Sequence, residues 1–121
     1  MGYLLSIDAG TTSFKICIFD AEGHVISEST REYQLLTPGP DLVEFDAEDY
    51  WFHCKRGIAE ALESGYANPE EIVALSISCQ SETLVVLDRG GRPLRRAIVW
   101  LDNRSDKESE AIAGELGEGC I

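Results

Sequence analysis

An aspartate, a glycine and three consecutive hydroxyl residues stand together in "IDAGTTSFK", residues 7–15. Gly10 permits a sharp turn and a close backbone approach to a ligand. Thr11, Thr12 and Ser13 set hydroxyls beside successive backbone N–H groups, a nest suited to phosphate oxygens without a net positive protein. Lys15 adds a point charge. Asp8 would repel a bare phosphate, so its place makes chemical sense with Mg2+ between them, held through water. The same residues also suffice for a polar hairpin turn, and spacing alone leaves both readings open. There is neither a Walker sequence nor GxGxxG, which excludes a P-loop or dinucleotide fingerprint.

A second group lies in "SCQSETLVVLDRGGRPLRRAIVWLDNRS", residues 78–105. Gln80, Ser81 and Glu82 follow an apolar strand, and Trp100 and Asp102 close the next apolar run. In open α/β sheets ligands gather outside the carboxyl ends of strands. A carboxylate and an amide fix hydroxyls, and an indole covers a carbon face, so this set suits a polyhydroxylated ligand. Taken singly, each residue is equally a surface residue at a strand end.

The elements that must position these groups are legible from periodicity. Residues 3–8, 14–20 and 25–34 read as three strands joined by short turns, an antiparallel meander. "LLTPGPDLVEF" reads as an ordered loop around two prolines. Residues 46–65 form the clearest helix, with Asp46 as N-cap, Gly65 as the stop, and Trp51, Cys54, Ile58, Ala61 and Leu62 on its core face. Residues 73–79 are nearly all small and apolar, as in a strand covered on both faces. "TLVVLD" reads as a fifth strand, "RGGR" as a hairpin turn and "RRAIVWLDNRS" as a sixth strand. Ser105 is placed to cap a last acidic helix, "DKESEAIAGELG". The fold class is therefore α/β, with a mixed sheet, part antiparallel and part parallel, and flanking helices.

The net charge of −12 argues against nucleic acid and against anionic membranes as partners. The four cysteines, Cys17, Cys54, Cys79 and Cys120, match no zinc spacing with His24 and His53. They read as reduced thiols packed as small apolar residues in a cytoplasmic protein. "MGYLLS" matches an N-myristoylation pattern only superficially, since it runs into a buried-looking strand, and it lacks the basic region of a signal peptide.

"IDAGTTSFK" resembles the first phosphate motif of the sugar-kinase, heat-shock-chaperone and actin superfamily. "VALSISCQSETLVVLDRGGRPLRRAIVWLDNRS" resembles the N-terminal domain of the FGGY carbohydrate kinases, and "PGPDLVEFDAEDYW" is similar to that family's loop and helix entry. The resemblance covers essentially the whole chain. It implies a ribonuclease-H-like fold and ATP-dependent phosphorylation of a sugar or polyol hydroxyl. Residue by residue, it implies that Asp8 helps hold Mg2+ and that Gly10, Thr11, Thr12 and Ser13 meet the ATP phosphates. Lys15 stands where many members have arginine. Gln80, Ser81, Glu82, Trp100 and Asp102 fall in the substrate region. Ser81-Glu82 stands where glycerol kinases carry Arg-Glu and xylulokinases Met-His, so neither glycerol nor xylulose follows from the pattern, although Glu82 and Thr83 lean toward the glycerol-kinase-like branch. Trp100 matches the tryptophan lining the glycerol site. The resemblance also implies that residues 1–121 are one partial domain. The catalytic base, the adenosine motifs and a second domain would lie further along a longer chain, itself expected to be a dimer or tetramer. A non-catalytic binding or assembly module, and a chaperone- or actin-like ATPase, are the competing readings.

Overall fold

The computed structural model describes residues 2–63 and 66–117. The expected helix stop at Gly65 and the fourth cysteine, Cys120, lie outside them. The meander is present as β1 (Tyr3–Ala9), β2 (Ser13–Phe19) and β3 (Val25–Glu32). After α1 (Ala47–Glu63) and a short 3-10 turn (Pro69–Glu71), β6 (Ile72–Cys79) returns to lie parallel to β1. The main sheet therefore has the order β3-β2-β1-β6, antiparallel within the meander and parallel at the crossover.

The expected loop after β3 is instead a small second sheet. β4 (Leu36–Gly39) and β5 (Leu42–Phe45) form a hairpin, and β7 (Ala97–Ile98) pairs with β5. Pro38 is tolerated because β4 is an edge strand, where a missing N–H costs no ladder bond. The expected fifth strand at residues 83–88 does not form. It makes only single bridges, Leu84 to Ile98 and Leu87 to Pro93. The sixth is reduced to the two residues of β7. The "RGGR" turn is present, with Gly91 at a φ of 78° and the Asp88 N–H donating to the Arg92 carbonyl at 2.8 Å. Left-handed backbone of this kind suits glycine.

Helix α1 packs on β2 and β3 through most of the expected face: Cys54 and Ala61 are buried and Ile58 and Leu62 pack against the core, and only Trp51 is left out. Gly57 is also buried, with Tyr50 packed against the same core. Gly57 permits a close approach of the helix to the sheet. A Cβ there would come within 2.8 Å of Ile16 Cγ1, so the helix approaches the sheet where only glycine fits. Ser27 and Ser29 of β3 reinforce the approach by donating to the Ala61 and Gly57 carbonyls at 2.6 and 2.8 Å. Trp51, expected in the core, is turned to the rim and is 58% exposed. Asp46 does cap the helix: its carboxylate accepts the Glu48 N–H at 3.0 Å. Ser105 sits at the N-cap of α2 (Asp106–Leu116), but its hydroxyl makes no capping bond.

The core consists of Leu5, Ile7, Phe14, Ile16 and Ile18 from the meander, with Tyr33, Phe45 and Val99. Of the described cysteines, Cys17 and Cys54 are buried, but Cys79 is exposed rather than packed. β6 also departs from expectation. It is a sheet edge among the described residues, and Val73, Leu75 and Ile77 are exposed. An apolar groove of about 400 Å3 runs along this side of α1, lined by Ile7, Phe14, Tyr50, Trp51 and Ile77.

Candidate active site

The turn between β1 and β2 is held from below. The Gly10 N–H donates to the Ser13 carbonyl at 2.9 Å, and the Tyr33 hydroxyl donates to the Gly10 carbonyl. The Tyr33 N–H in turn donates to the Thr12 carbonyl at 2.9 Å. Tyr33 is buried among Phe14, Phe45, Tyr50 and His53, and this burial raises its phenol well above the ordinary range. It therefore stays a neutral donor. Its bonds occupy carbonyls of the turn, and among the described residues no backbone carbonyl takes the N–H groups of Thr11 and Thr12. That is the arrangement an anion-binding nest requires.

Asp8 is exposed near the end of β1. It stands in register with Lys15 of β2 and Ser78 of β6. By strand alternation all three lie on the sheet face opposite Ile7 and α1. Lys15 is turned to Glu28 at 3.4 Å, in an exposed pair of the kind that contributes little.

The second turn follows β6. The Gln80 N–H continues the ladder to the Ala9 carbonyl at 2.9 Å, which ties the two turns together. The Gln80 amide donates to the Tyr50 hydroxyl at 3.0 Å. Burial raises the Tyr50 phenol, and this bond partly opposes the shift. Glu82 has a φ of 65°, the one described non-glycine residue with positive φ. Such backbone costs about 1–3 kcal/mol and persists only where the surroundings impose it, most often at functional sites.

Trp100 is placed by Val99, which is fully buried and donates its N–H to the Val43 carbonyl. The Trp100 N–H donates to Thr83 Oγ1 at 3.4 Å, and its indole Nε1–H donates to Thr11 Oγ1 at 3.0 Å. Thr11, Gln80, Ser81, Glu82 and Trp100 thus line one cleft of about 390 Å3. One residue of the first group, Thr11, meets four of the second, Gln80, Ser81, Glu82 and Trp100. Thr12 and Ser13 remain on the adjoining turn, and Asp8 and Lys15 lie on the sheet beside it.

Asp102 is not brought into the cleft. Its side chain has no exposed surface. Its carboxylate accepts Arg104 Nε–H at 2.6 Å, Arg104 Nη2–H at 2.7 Å and the Val43 N–H at 2.6 Å. Arg104 also reaches Glu44 at 2.8 Å, and Arg95 binds the same carboxylate. The Arg104 bonds, and then the backbone donors, hold the Asp102 carboxyl far below its usual range. The group locks β5 to the segment that carries Trp100. Asp102→Ala is expected to destabilise the fold by about 2 kcal/mol, the scale of a charge-assisted bond network losing one member. Because the folded carboxyl binds its proton more weakly than the unfolded one, this contribution is complete above about pH 4. It fades as the pH falls below that value. Urea unfolding at pH 7 and pH 3 should therefore show a smaller gap between variant and parent at the lower pH.

Tyr33 and Tyr50 are the residues that sequence reasoning missed. Neither touches the cleft, yet one fixes the first turn and the other fixes Gln80. Their only sequence signal is a polar-tipped aromatic beside an apolar stripe, which places a hydroxyl at the core boundary.

A four-stranded mixed sheet of order β3-β2-β1-β6, with a hydroxyl-rich turn at its first hairpin and a polar cleft at the carboxyl ends of β1 and β6, is the fold that carbohydrate kinases of known structure share. The family model for the N-terminal domain of the FGGY family of carbohydrate kinases matches residues 3–119, and the chain belongs to that family. It is 40% identical over 116 residues to a glycerol kinase of Thermococcus gammatolerans, covering 96% of this chain and 24% of that protein. It is 41% identical over 116 residues to a glycerol kinase of Methylobacterium radiotolerans, covering 95% and 23%. Among solved structures, a gluconate kinase from Lactobacillus acidophilus superposes with a TM-score of 0.88 at 22% identity, covering 98% of this chain and 23% of that one. Plasmodium falciparum glycerol kinase with ADP gives 0.84 at 24% identity, covering 98% and 24%. The chain spans about a quarter of the length of the curated relatives it matches. Among the described residues, no helix is long and apolar enough to cross a membrane.

Proposed function

We propose that this domain serves an ATP-dependent carbohydrate kinase, which transfers the γ-phosphate of ATP to a hydroxyl of a sugar or polyol. The observation that carries the reading is the shared cleft. Thr11 of the nest-like turn and the polyol-suited set of Ser81, Glu82 and Trp100 line the same cavity. A donor phosphate and an acceptor hydroxyl must meet in one place, and positioning is most of what phosphoryl transfer asks of a protein.

In this reading the Thr11 and Thr12 N–H groups and the Thr11, Thr12 and Ser13 hydroxyls bind phosphate oxygens. Gly10 permits the close approach, and Lys15 swings from its weak pair with Glu28 to add charge. Glu82 accepts hydrogen bonds from acceptor hydroxyls, Ser81 and Gln80 flank it, and the Trp100 ring covers the carbon face. Asp8 fits Mg2+ held through water: it is a single exposed carboxylate beside a phosphate turn, which matches a cation that keeps its waters and takes few protein ligands. When bound, the ion offsets charge on the transferring group. The acceptor oxygen bonds to phosphorus as the bond to the ADP oxygen breaks, and the hydroxyl proton goes to a base that we assign to an aspartate outside these residues.

The uncovered apolar surface of β6 supports reading residues 1–121 as the first part of a larger domain. That the whole protein is cytoplasmic is supported by its cysteines reading as reduced thiols, and that it is a dimer or tetramer by the family resemblance. The test is an ADP-release assay of the complete protein with ATP and Mg2+ against glycerol, pentuloses, hexuloses and gluconate. Saturable release with at least one acceptor is expected. Release that no acceptor stimulates would overturn the reading.

A further inference from the structure

The assignment of the turn hydroxyls to phosphate leaves one bond unused. Trp100 is bound at two points, by Thr83 Oγ1 on its backbone and by Thr11 Oγ1 on its indole. The second joins residues 89 positions apart, both of which line the cleft. Trp100 is 48% exposed, and its indole N–H would otherwise face water. A threonine hydroxyl that accepts one bond still has its own proton to donate. Thr11 can therefore receive the indole N–H on one side and donate into the cleft on the other.

We infer that Thr11 is a positioning residue for the acceptor site: its hydroxyl holds the Trp100 ring as the fixed wall against which the sugar or polyol carbon face packs. This rests on the reading of the cleft given above. It moves Thr11 from a purely phosphate-side duty to a link between the two halves of the site. Serine retains the hydroxyl and valine keeps the shape without it. The methyl of Thr11 takes no part in the bond, so serine is sufficient for the wall.

The bond is read first without any kinase activity, by indole N–H exchange in the 15N-labelled protein, with Trp51→Phe and Trp100→Phe each assigning its own signal. Trp51 is 58% exposed, close to the 48% of Trp100, so burial alone separates them little. The Trp100 indole is expected to exchange about fivefold more slowly than that of Trp51, the protection one modest hydrogen bond confers. Thr11→Val should erase the difference and Thr11→Ser should keep it. Equal exchange of both indoles in the unmodified protein overturns the inference, whether or not the valine variant folds. In the complete enzyme, Thr11→Val is expected to raise the acceptor KM about fivefold, with Thr11→Ser near the parent. In a Trp100→Phe background the same substitution should raise it no further. A fully additive rise there would mean that Thr11 acts on the acceptor by itself, and would overturn the positioning role. An enzyme inactive on every acceptor would instead sink the kinase reading, while the exchange result would still stand on its own.

Discussion

Replacing Asp8 by asparagine in the complete enzyme is expected to lower turnover by about a hundredfold or more while leaving acceptor binding within about twofold. The amide keeps the size of the side chain, removes its charge and exchanges one acceptor oxygen for a donor. Asp8 is exposed, so the fold does not depend on that charge. Its place in register with Lys15 and Ser78 puts it on the sheet face away from α1, beside the phosphate turn and outside the cleft lining. A group that matters only when charge develops on the transferring phosphoryl lowers kcat and kcat/KM together. Steady-state kinetics with a parallel acceptor titration measure both quantities. Turnover equal to the parent would remove Asp8 from the metal site.

The part of the site that was legible before the structure is the part encoded locally. Asp8 to Lys15 are contiguous, so one hairpin turn is enough to group them as a candidate phosphate site. The meander and the parallel return of β6 are legible for the same reason, since each rests on short apolar periodicity. The misreadings come where a partner decides. Cys54, Ile58, Ala61 and Leu62 keep the expected face of α1, but Trp51 is left at its rim, where Tyr50 packs against the core in its place. Residues 84–87 are as apolar as any strand, yet only single bridges form, Leu84 to Ile98 of the two-residue β7 and Leu87 to Pro93. β6 has the composition of a covered strand and stands at an edge.

Asp102 shows the same limit within the site. By type and position it matches Glu82: an acidic residue just after an apolar run. The difference lies in Glu44 and Arg104, which capture Asp102 in a buried network, and 60 residues separate those two in sequence. No such network takes Glu82, whose side chain is exposed at a turn with a left-handed backbone. The Thr11–Trp100 bond is likewise invisible to spacing. It exists because the two sheets bring β7's continuation over the first hairpin.

Glu82→Ala is therefore expected to lower acceptor kcat/KM by about tenfold to a hundredfold, with the KM for ATP within about twofold of the parent. The magnitude follows from one charge-assisted hydrogen bond, worth about 1.5–3 kcal/mol when its loss leaves an acceptor hydroxyl unpaired. Alanine at this position still has a Cβ, so the backbone remains as strained as with glutamate at a φ of 65°. The variant thus removes the carboxylate and leaves the turn's conformational demand unchanged. Glu82→Gly separates the two effects in the opposite sense. It relieves the left-handed backbone and should raise the unfolding midpoint, yet it should lose as much acceptor efficiency as alanine. Kinetics on the best acceptor, with thermal unfolding of all three proteins, decide the matter. If alanine retains parental kcat/KM, Glu82 shapes the turn and grips nothing. If glycine is less stable than alanine, the left-handed backbone at this position carries no strain that glycine relieves, and the backbone argument fails.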